Sequence, residues 1–270
     1  MPELPEVETT RLGLLPRLQN RRLREMRIRN AKLRWPVPED LPARLVDKTL
    51  RDLTRRGKYL LFDFGDVTQI VHLGMSGSLR FAQPEETRGI HDHVDWHFDD
   101  GTLLRFRDPR RFGAVLWSTH PRQHALLAKL GPEPLSAEFN ARYLYSVSRR
   151  RSIAIKQLLM DGHVVVGVGN IYASEALFHA GIRPGTSAGK LTRPACARLV
   201  NAIQRVLKAA IAAGGSSLRD YVHTSGELGY FQLHTQVYDR AGLACKACAT
   251  PIRRIVQGQR ASFYCPQCQR

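Results

Sequence analysis

Apolar residues fall into two regimes along this chain. Between Arg21 and Trp117 they alternate with polar residues or gather in short runs, and beyond Asn140 they recur at helical spacing. In the first regime residues 21–35 alternate basic and apolar side chains, the period of a half-buried strand. Residues 54–64 continue in that manner, with Arg55-Arg56-Gly57-Lys58 at the start, Tyr59-Leu60-Leu61-Phe62 as a buried strand and Gly65-Asp66 as its turn. Residues 70–81 read as a glycine-punctuated strand pair, and residues 93–107 as a hairpin around Asp99-Asp100-Gly101. Asp108-Pro109-Arg110-Arg111-Phe112-Gly113 is a further turn feeding residues 114–117. Short successive strands without long intervening helices predict an antiparallel sandwich or barrel.

Before this regime Pro5 suits a first helical position, and Val7, Leu14, Leu15 and Leu18 form an apolar stripe. After it, residues 130–140 carry a glycine and two prolines that extend neither neighbour, which marks a hinge. Residues 141–147, 152–160, 170–180 and 192–213 then have helical period or composition, with Gly181 and Gly214 as C-terminal stops. The last segment returns to strand pattern, with residues 252–256 and 260–264 on either side of a turn at Gly258.

Charge narrows the choice of partner. The 270 residues carry a formal net charge of +17, which points to a polyanion, and nucleic acid fits best. A membrane surface fits poorly, because there is no run of eighteen apolar residues and no basic amphipathic helix with an aromatic face. The start lacks the regions of a secretory signal, which predicts a cytosolic protein. Five cysteines are present. Cys245, Cys248, Cys265 and Cys268 form two C-x-x-C pairs, the pattern of one structural zinc ion in a reducing compartment, and Cys196 reads as inert packing on a helix.

Several residues invite chemistry. A small second residue allows removal of Met1, leaving Pro2 as a secondary α-amine beside the Glu3 carboxylate, a nucleophile next to a proton carrier. A plain helix entry accounts for the same residues. Thirty-three arginines against eight lysines mean that cationic surface is supplied by guanidinium here. The remaining lysines, Lys58 and Lys156 above all, therefore stand out for amine chemistry. Met75 and Phe112 occupy glycine-framed turns in a basic setting, where they serve either as core anchors or as wedges for a base stack. His91-Asp92-His93 reads as phosphate-contacting or packing histidine rather than a metal site. Gly167-Val168-Gly169-Asn170 at a helix entry suits one phosphate on the positive helix end. Arg149-Arg150-Arg151 is a charge run facing solvent or phosphate, and Arg260 sits at a hairpin tip suited to a groove or a phosphate. Residues 216–235 have the polar, glycine-bearing composition of a loop that closes over a ligand, or of a linker.

Taken together the residues resemble the bacterial formamidopyrimidine-DNA glycosylases, base-excision repair enzymes for 8-oxoguanine, over the whole chain. The resemblance is carried by Pro2-Glu3-Leu4-Pro5-Glu6-Val7-Glu8-Thr9, Lys58-Tyr59-Leu60-Leu61, His72-Leu73-Gly74-Met75-Ser76-Gly77, Asp108-Pro109-Arg110-Arg111-Phe112-Gly113, residues 166–175 and the four cysteines. It implies a multi-domain α+β protein: an N-terminal β-sandwich with flanking helices (1–133), a helical helix-two-turns-helix domain with a lesion-capping loop (134–234), and a C-terminal zinc ribbon (235–270). DNA is expected in the cleft between them.

The resemblance also implies roles. Pro2 attacks the sugar C1′ and forms a Schiff base as the base leaves, and Glu3 protonates the sugar oxygen. Lys58 is assigned to β-elimination and Arg260 to δ-elimination. Met75, Arg110 and Phe112 fill the void left by the flipped nucleotide, with Arg110 facing the orphaned cytosine. His91, Arg151 and Asn170 contact phosphate, Lys156 contacts the minor-groove side of the lesion, and residues 217–230 cap the extruded base. The implied partner is double-stranded DNA bearing oxidised purines or abasic sites. The protein is expected to be a monomer in the bacterial cytoplasm, associated with the nucleoid. Two alternatives remain: an endonuclease VIII-like enzyme for oxidised pyrimidines, disfavoured by Leu4 and Val7-Glu8-Thr9, and a non-catalytic zinc-ribbon DNA-binding protein, which leaves Pro2, Glu3 and Lys58 without a role.

Overall fold

A computed structural model describes residues 1–83, 85–215 and 235–270. These form two compact units. Met1–Lys129, with Gly214 and Gly215, make the first, and Leu130–Ala213 with residues 235–270 make the second.

The first unit opens with helix α1 (Leu4–Leu18), which buries Leu4, Val7, Leu14 and Leu18 as its apolar spacing requires. A short helix α2 (Leu41–Leu45) and eight strands follow: β1 (Leu23–Ile28), β2 (Asp52–Arg56), β3 (Tyr59–Asp63), β4 (Thr68–His72), β5 (Ser78–Ala82), β6 (Asp92–Phe98), β7 (Leu103–Arg107) and β8 (Ala114–Ser118). They form two antiparallel four-stranded sheets, ordered β1-β6-β7-β5 and β2-β3-β4-β8. Alternate residues of both sheets meet in one core, with Met26, Trp96 and Phe106 from the first sheet and Leu60, Phe62 and Val71 from the second, closed by Leu14 and Leu18 of α1. The expected sandwich is present.

Three local expectations are corrected. The strand expected over residues 21–35 ends at Ile28, because the Asn30 side chain accepts from the Lys32 N–H and turns the chain aside. Residues 54–64 are a hairpin rather than a single run, bent at Gly57 and Lys58, where Gly57 takes φ +58. β4 and β5 are not a pair: Gly74, at φ +65, sends the chain from one sheet to the other.

Within the first sheet Arg105 and Asp95 are register partners on β7 and β6, and both are buried. The guanidinium bonds both carboxylate oxygens at 2.9 and 3.0 Å, and Arg29 adds a third bond at 2.6 Å. A pair so buried is tolerable only because the charges satisfy each other.

The second unit contains α3 (Ala141–Ser148), α4 (Ile155–Leu159), α5 (Asn170–Ala180) and α6 (Arg193–Ala212), followed by the hairpin of β9 (Arg253–Gln257) and β10 (Arg260–Tyr264). Asn140 and Thr192 cap α3 and α6 by accepting from Tyr143 and Ala195 N–H groups. Gly181 ends α5 at φ +70, as its place in the sequence predicts. α4 is shorter than its expected span of 152–160. The segments on either side of the hairpin join α5 and the residue stretch after it through buried polar contacts. Gln269 is fully buried: its Oε1 accepts from the Cys265 N–H at 2.9 Å and its Nε2 donates to the Ile182 carbonyl at 2.8 Å. Glu175 on α5 accepts three backbone N–H bonds, from Gln236, Val237 and Tyr238 at 2.8–3.0 Å. Among the described residues no helix is long and apolar enough to cross a membrane.

Candidate functional site

The order β2-β3-β4-β8 brings distant stretches of sequence to one sheet end. β2 finishes at Arg56 and β3 begins at Tyr59, so the hairpin turn carries Lys58; β4 finishes there at His72, and β8 begins at Ala114, opposite His72. The turn after β4 holds Met75, and the turn before β8 holds Arg110 and Phe112. α1 is moored at the same end. Glu8, in its first turns, bonds the Arg55 Nε at 2.8 Å, and the Arg55 Nη1 donates to the Gly57 carbonyl at 3.0 Å. Burial works against charge on Glu8, but Arg11 and Arg55 outweigh it and hold the carboxyl below its ordinary range.

Pro2 and Glu3 precede α1 and are both buried. The Glu3 N–H donates to the Glu6 carboxylate at 2.7 Å, which fixes the backbone beside Pro2. His72 stands between the Lys58 turn and the Met75 turn. Its Nδ1 accepts from the Gly74 N–H at 3.0 Å, and its ring lies 4.8 Å from that of Tyr59. Burial, with Lys58 and Arg34 nearby, pushes its pKa down to about 4, so this imidazole is neutral at physiological pH.

Met75 and Phe112 are 38 % and 39 % exposed, unusual for large apolar side chains on tight turns, and the Arg110 guanidinium carbon lies 4.8 Å over the Phe112 ring. Neither side chain belongs to the buried core. Beneath them lies a residue that composition and spacing do not single out. Asp108 is fully buried and accepts from Ser76 Oγ at 2.9 Å and from the Gly113 N–H at 2.8 Å. Its position ahead of a proline and five residues before a glycine is the only sequence signal of that role. His91 is half-buried and its carbonyl accepts from the Asp108 N–H at 3.0 Å; His93 is buried, with Nε2 2.8 Å from the Asp108 carbonyl. Of the two histidines, His93 is therefore packing.

The second unit assembles the remaining candidates. Asn170 is the first residue of α5 and Gly169, not Asn170, is its cap residue. The amide side chain is thus available for another contact, and its Oδ1 accepts from Lys156 Nζ at 2.7 Å. Gly167 takes φ +80 to admit the chain to the helix. Lys156 is 1 % exposed and also donates to the Ala261 carbonyl at 3.0 Å and Ser262 Oγ at 2.8 Å on β10. Arg260 opens that strand, exposed beside a two-residue turn in which Gly258 and Gln259 have φ +54 and +62, the signature of a type I′ hairpin. Arg151 is exposed, and its carbonyl accepts from the Gly189 N–H at 2.8 Å. The lesion-capping expectation for residues 217–230 lies outside the described residues.

The four cysteine sulfurs lie within 4.8 Å of one another. The Cys248–Cys265 and Cys248–Cys268 pairs are 3.4 Å apart and Cys245–Cys268 3.9 Å. Tetrahedral thiolate coordination at about 2.3 Å sets sulfurs about 3.8 Å apart, so the cluster fits one structural zinc ion. Val237, Ile252 and Phe263 form a small apolar cluster around Cys245 and Cys265, too small to hold the ribbon without the metal.

Comparison with known proteins accounts for nearly the whole chain. Residues 1–115 match the formamidopyrimidine-DNA glycosylase N-terminal domain, residues 130–222 the H2TH domain of the same enzymes, and residues 242–270 a zinc finger found in FPG and IleRS. Formamidopyrimidine-DNA glycosylases of Thiobacillus denitrificans and Thioalkalivibrio sulfidiphilus are 69 % and 57 % identical over the full length of both chains. Among solved structures, the MutM (FPG) protein from Thermus thermophilus superposes with a TM-score of 0.89 at 38 % identity, covering 99 % of this chain and 98 % of that one. A Lactococcus lactis FPG mutant in complex with Fapy-dG-containing DNA gives 0.93 at 33 % identity over all of both chains. The Lactococcus lactis Fpg with abasic-site DNA gives 0.92 at 33 %, covering 99 % of each.

Proposed function

The chain belongs to the formamidopyrimidine-DNA glycosylase family, and from that premise we propose that it is a bifunctional DNA glycosylase and abasic-site lyase of base excision repair. It excises oxidised purines, 8-oxoguanine and formamidopyrimidines, from duplex DNA and then cuts the strand. The observation that carries this reading is 69 % identity along the entire chain to a formamidopyrimidine-DNA glycosylase. An oxidised-pyrimidine enzyme of the endonuclease VIII type and a non-catalytic ribbon protein are both disfavoured by it.

The residue roles are part of the proposal. With Met1 removed, Pro2 N attacks C1′ of the damaged nucleotide as the bond to the base breaks and its electron pair leaves with the base. Glu3 protonates the ring oxygen, which opens the sugar and leaves an iminium ion. Lys58 takes the C2′ proton for β-elimination. Arg260, which keeps its charge, stabilises the second departing phosphate in δ-elimination. The buried approach of Pro2 and Glu3 to α1 and the mooring of the Lys58 turn through Glu8 and Arg55 support these assignments. Met75, Arg110 and Phe112 fill the void in the duplex after the nucleotide is flipped out, as their exposed tips suggest. His91, Arg151 and Asn170 hold phosphates, Asn170 at the positive end of α5. Lys156 acts on DNA through Asn170, given its burial. The same reading includes three domains (1–133, 134–234 and 235–270), one structural zinc, a monomeric state, no membrane partner, and a bacterial cytoplasmic location near the nucleoid.

Borohydride trapping on an 8-oxoguanine·cytosine duplex tests the reading. The expected result is a covalent complex with the mature protein, whose intact mass lacks Met1, and almost none with Pro2→Gly. Trapping that is unchanged in Pro2→Gly sinks the assignment of the nucleophile. Faster cleavage of thymine glycol than of 8-oxoguanine sinks the assignment of substrate.

A further inference from the structure

The void-filling side chains come from two separate turns, the Met75 turn after β4 and the Arg110–Phe112 turn before β8. We propose that Asp108 is a positioning residue that locks these turns into one preassembled wedge. The inference rests on the reading that Met75, Arg110 and Phe112 enter the duplex. The contrast in burial is its starting point: Met75 and Phe112 project with more than a third of their surface exposed, while the carboxylate at their base is 0 % exposed.

Each oxygen of that carboxylate serves a different part of the wedge. Oδ2 accepts from the Gly113 N–H at 2.8 Å, which fixes the end of the Phe112 turn. Oδ1 accepts from Ser76 Oγ at 2.9 Å, which fixes the Met75 turn. The Arg110 N–H, 3.3 Å from both Asp108 Oδ1 and Ser76 Oγ, closes a three-membered ring of hydrogen bonds across the two turns. Such bonds to an ionised acceptor are the strong ones. The turns also meet backbone to backbone. A Cβ on Gly74 would lie 2.5 Å from Gly113 N and Phe112 C, so that residue must be glycine for the approach to occur.

Side chains entering a base stack must displace stacked bases, and each unordered turn adds an entropic cost at that moment. A wedge ordered during folding avoids that cost. The carboxylate is suited to the task because it presents acceptors alone, facing only N–H and O–H donors. Asparagine would turn an amide donor toward one of them. Alanine at position 76 removes the link to the Met75 turn alone and keeps the Asp108–Gly113 bond.

The test is stopped-flow fluorescence of 2-aminopurine beside 8-oxoguanine in a duplex, paired with borohydride trapping on a single-stranded abasic oligonucleotide, which has no stack to enter. Asp108→Asn and Ser76→Ala are expected to slow the fluorescence step about tenfold, the scale of one lost charge-assisted hydrogen bond, while single-stranded trapping stays at the wild-type level. Met75→Ala and Phe112→Ala test the underlying reading. If these two slow insertion but folded Asp108→Asn and Ser76→Ala do not, the locking role is overturned and the wedge stands. If none of the four slows insertion, the wedge reading itself has failed. An equal loss of single-stranded trapping in Asp108→Asn and Ser76→Ala also overturns the proposal, since that result marks general disruption. Should Asp108→Asn not fold, Ser76→Ala decides alone.

Discussion

Lys156 Nζ stands 2.7 Å from Asn170 Oδ1 and 2.8 Å from Ser262 Oγ, so a single buried amino group joins the entry of α5 to strand β10 of the ribbon. Replacement by methionine keeps the aliphatic length and leaves these acceptors without their donor. The expected loss of stability is about 1–3 kcal/mol, the cost of stranding buried polar groups. Affinity for undamaged duplex DNA should fall to the level of Asn170→Ala. Denaturant unfolding and anisotropy measure the two effects; a Lys156→Met protein with wild-type affinity removes the link between this lysine and phosphate binding.

His72 makes stability depend on pH in a defined direction. Its native pKa near 4 lies below the ordinary value of 6.5, so between those values the unfolded chain binds a proton that the folded one refuses. Stability is therefore complete above about pH 6.5 and declines as the pH falls toward 4. His97 and His179, lowered first by burial, act in the same sense. His72→Gln keeps an acceptor for the Gly74 N–H and does not titrate. Its unfolding midpoint should change less than that of the wild type between pH 7 and 4, and parallel curves for the two proteins would refute this account.

A second acid limb comes from carboxylates. Burial opposes the charge of Asp95, but its bonds to Arg105 and Arg29 keep its pKa below 3.8. The stability they supply is present above that value and is lost as the pH falls through the depressed native pKa. Arg105→Met should destabilise the fold by about 3–5 kcal/mol, because it strands a buried carboxylate. Thermal unfolding at neutral pH reads this, and a change under 1 kcal/mol is incompatible with the buried pair.

Removal of zinc should release the ribbon. The apolar cluster of Val237, Ile252 and Phe263 is small, and metal binding supplies most of the folding free energy of such a segment. Chelation or Cys248→Ser is expected to remove one equivalent of zinc and abolish duplex incision. Proteolysis should then begin within residues 242–270. Undiminished incision by zinc-free protein contradicts this expectation.

With a net charge of +17 and several phosphates neutralised, log Kd for duplex DNA should rise against log salt with a slope of roughly 3 to 6. Arg151→Ala should lower the slope by about one. A flat salt response excludes a phosphate-dominated interface.

Local features were legible in the sequence, and long-range polar junctions were not. The Asp99-Asp100-Gly101 hairpin, the α5 stop at Gly181 and the cysteine pairs depend on neighbouring residues, and all appear where the pattern places them. The hairpin at Gly57-Lys58 was hidden because Thr54 to Arg56 is wholly polar and carries no strand period of its own, so that the apolar run Tyr59 to Phe62 alone marked a strand. Asp108 reaches Ser76 across 32 positions and Glu175 reaches the Gln236 N–H across 61, separations at which spacing carries no signal. Lysine scarcity did mark Lys156, but for amine chemistry, and the resemblance implied a contact with the lesion. Only the tertiary arrangement turns the Lys156 amino group inward.

Gln269 and Arg270 give the stretch after the last cysteine an importance out of proportion to its size. The Gln269 amide spans the Cys265 N–H and the Ile182 carbonyl, while the Arg270 N–H and carbonyl stitch to Gly181 and Arg183. Without these two residues every thiolate would remain, but the Cys265 N–H and the Ile182 carbonyl would each lose a buried partner.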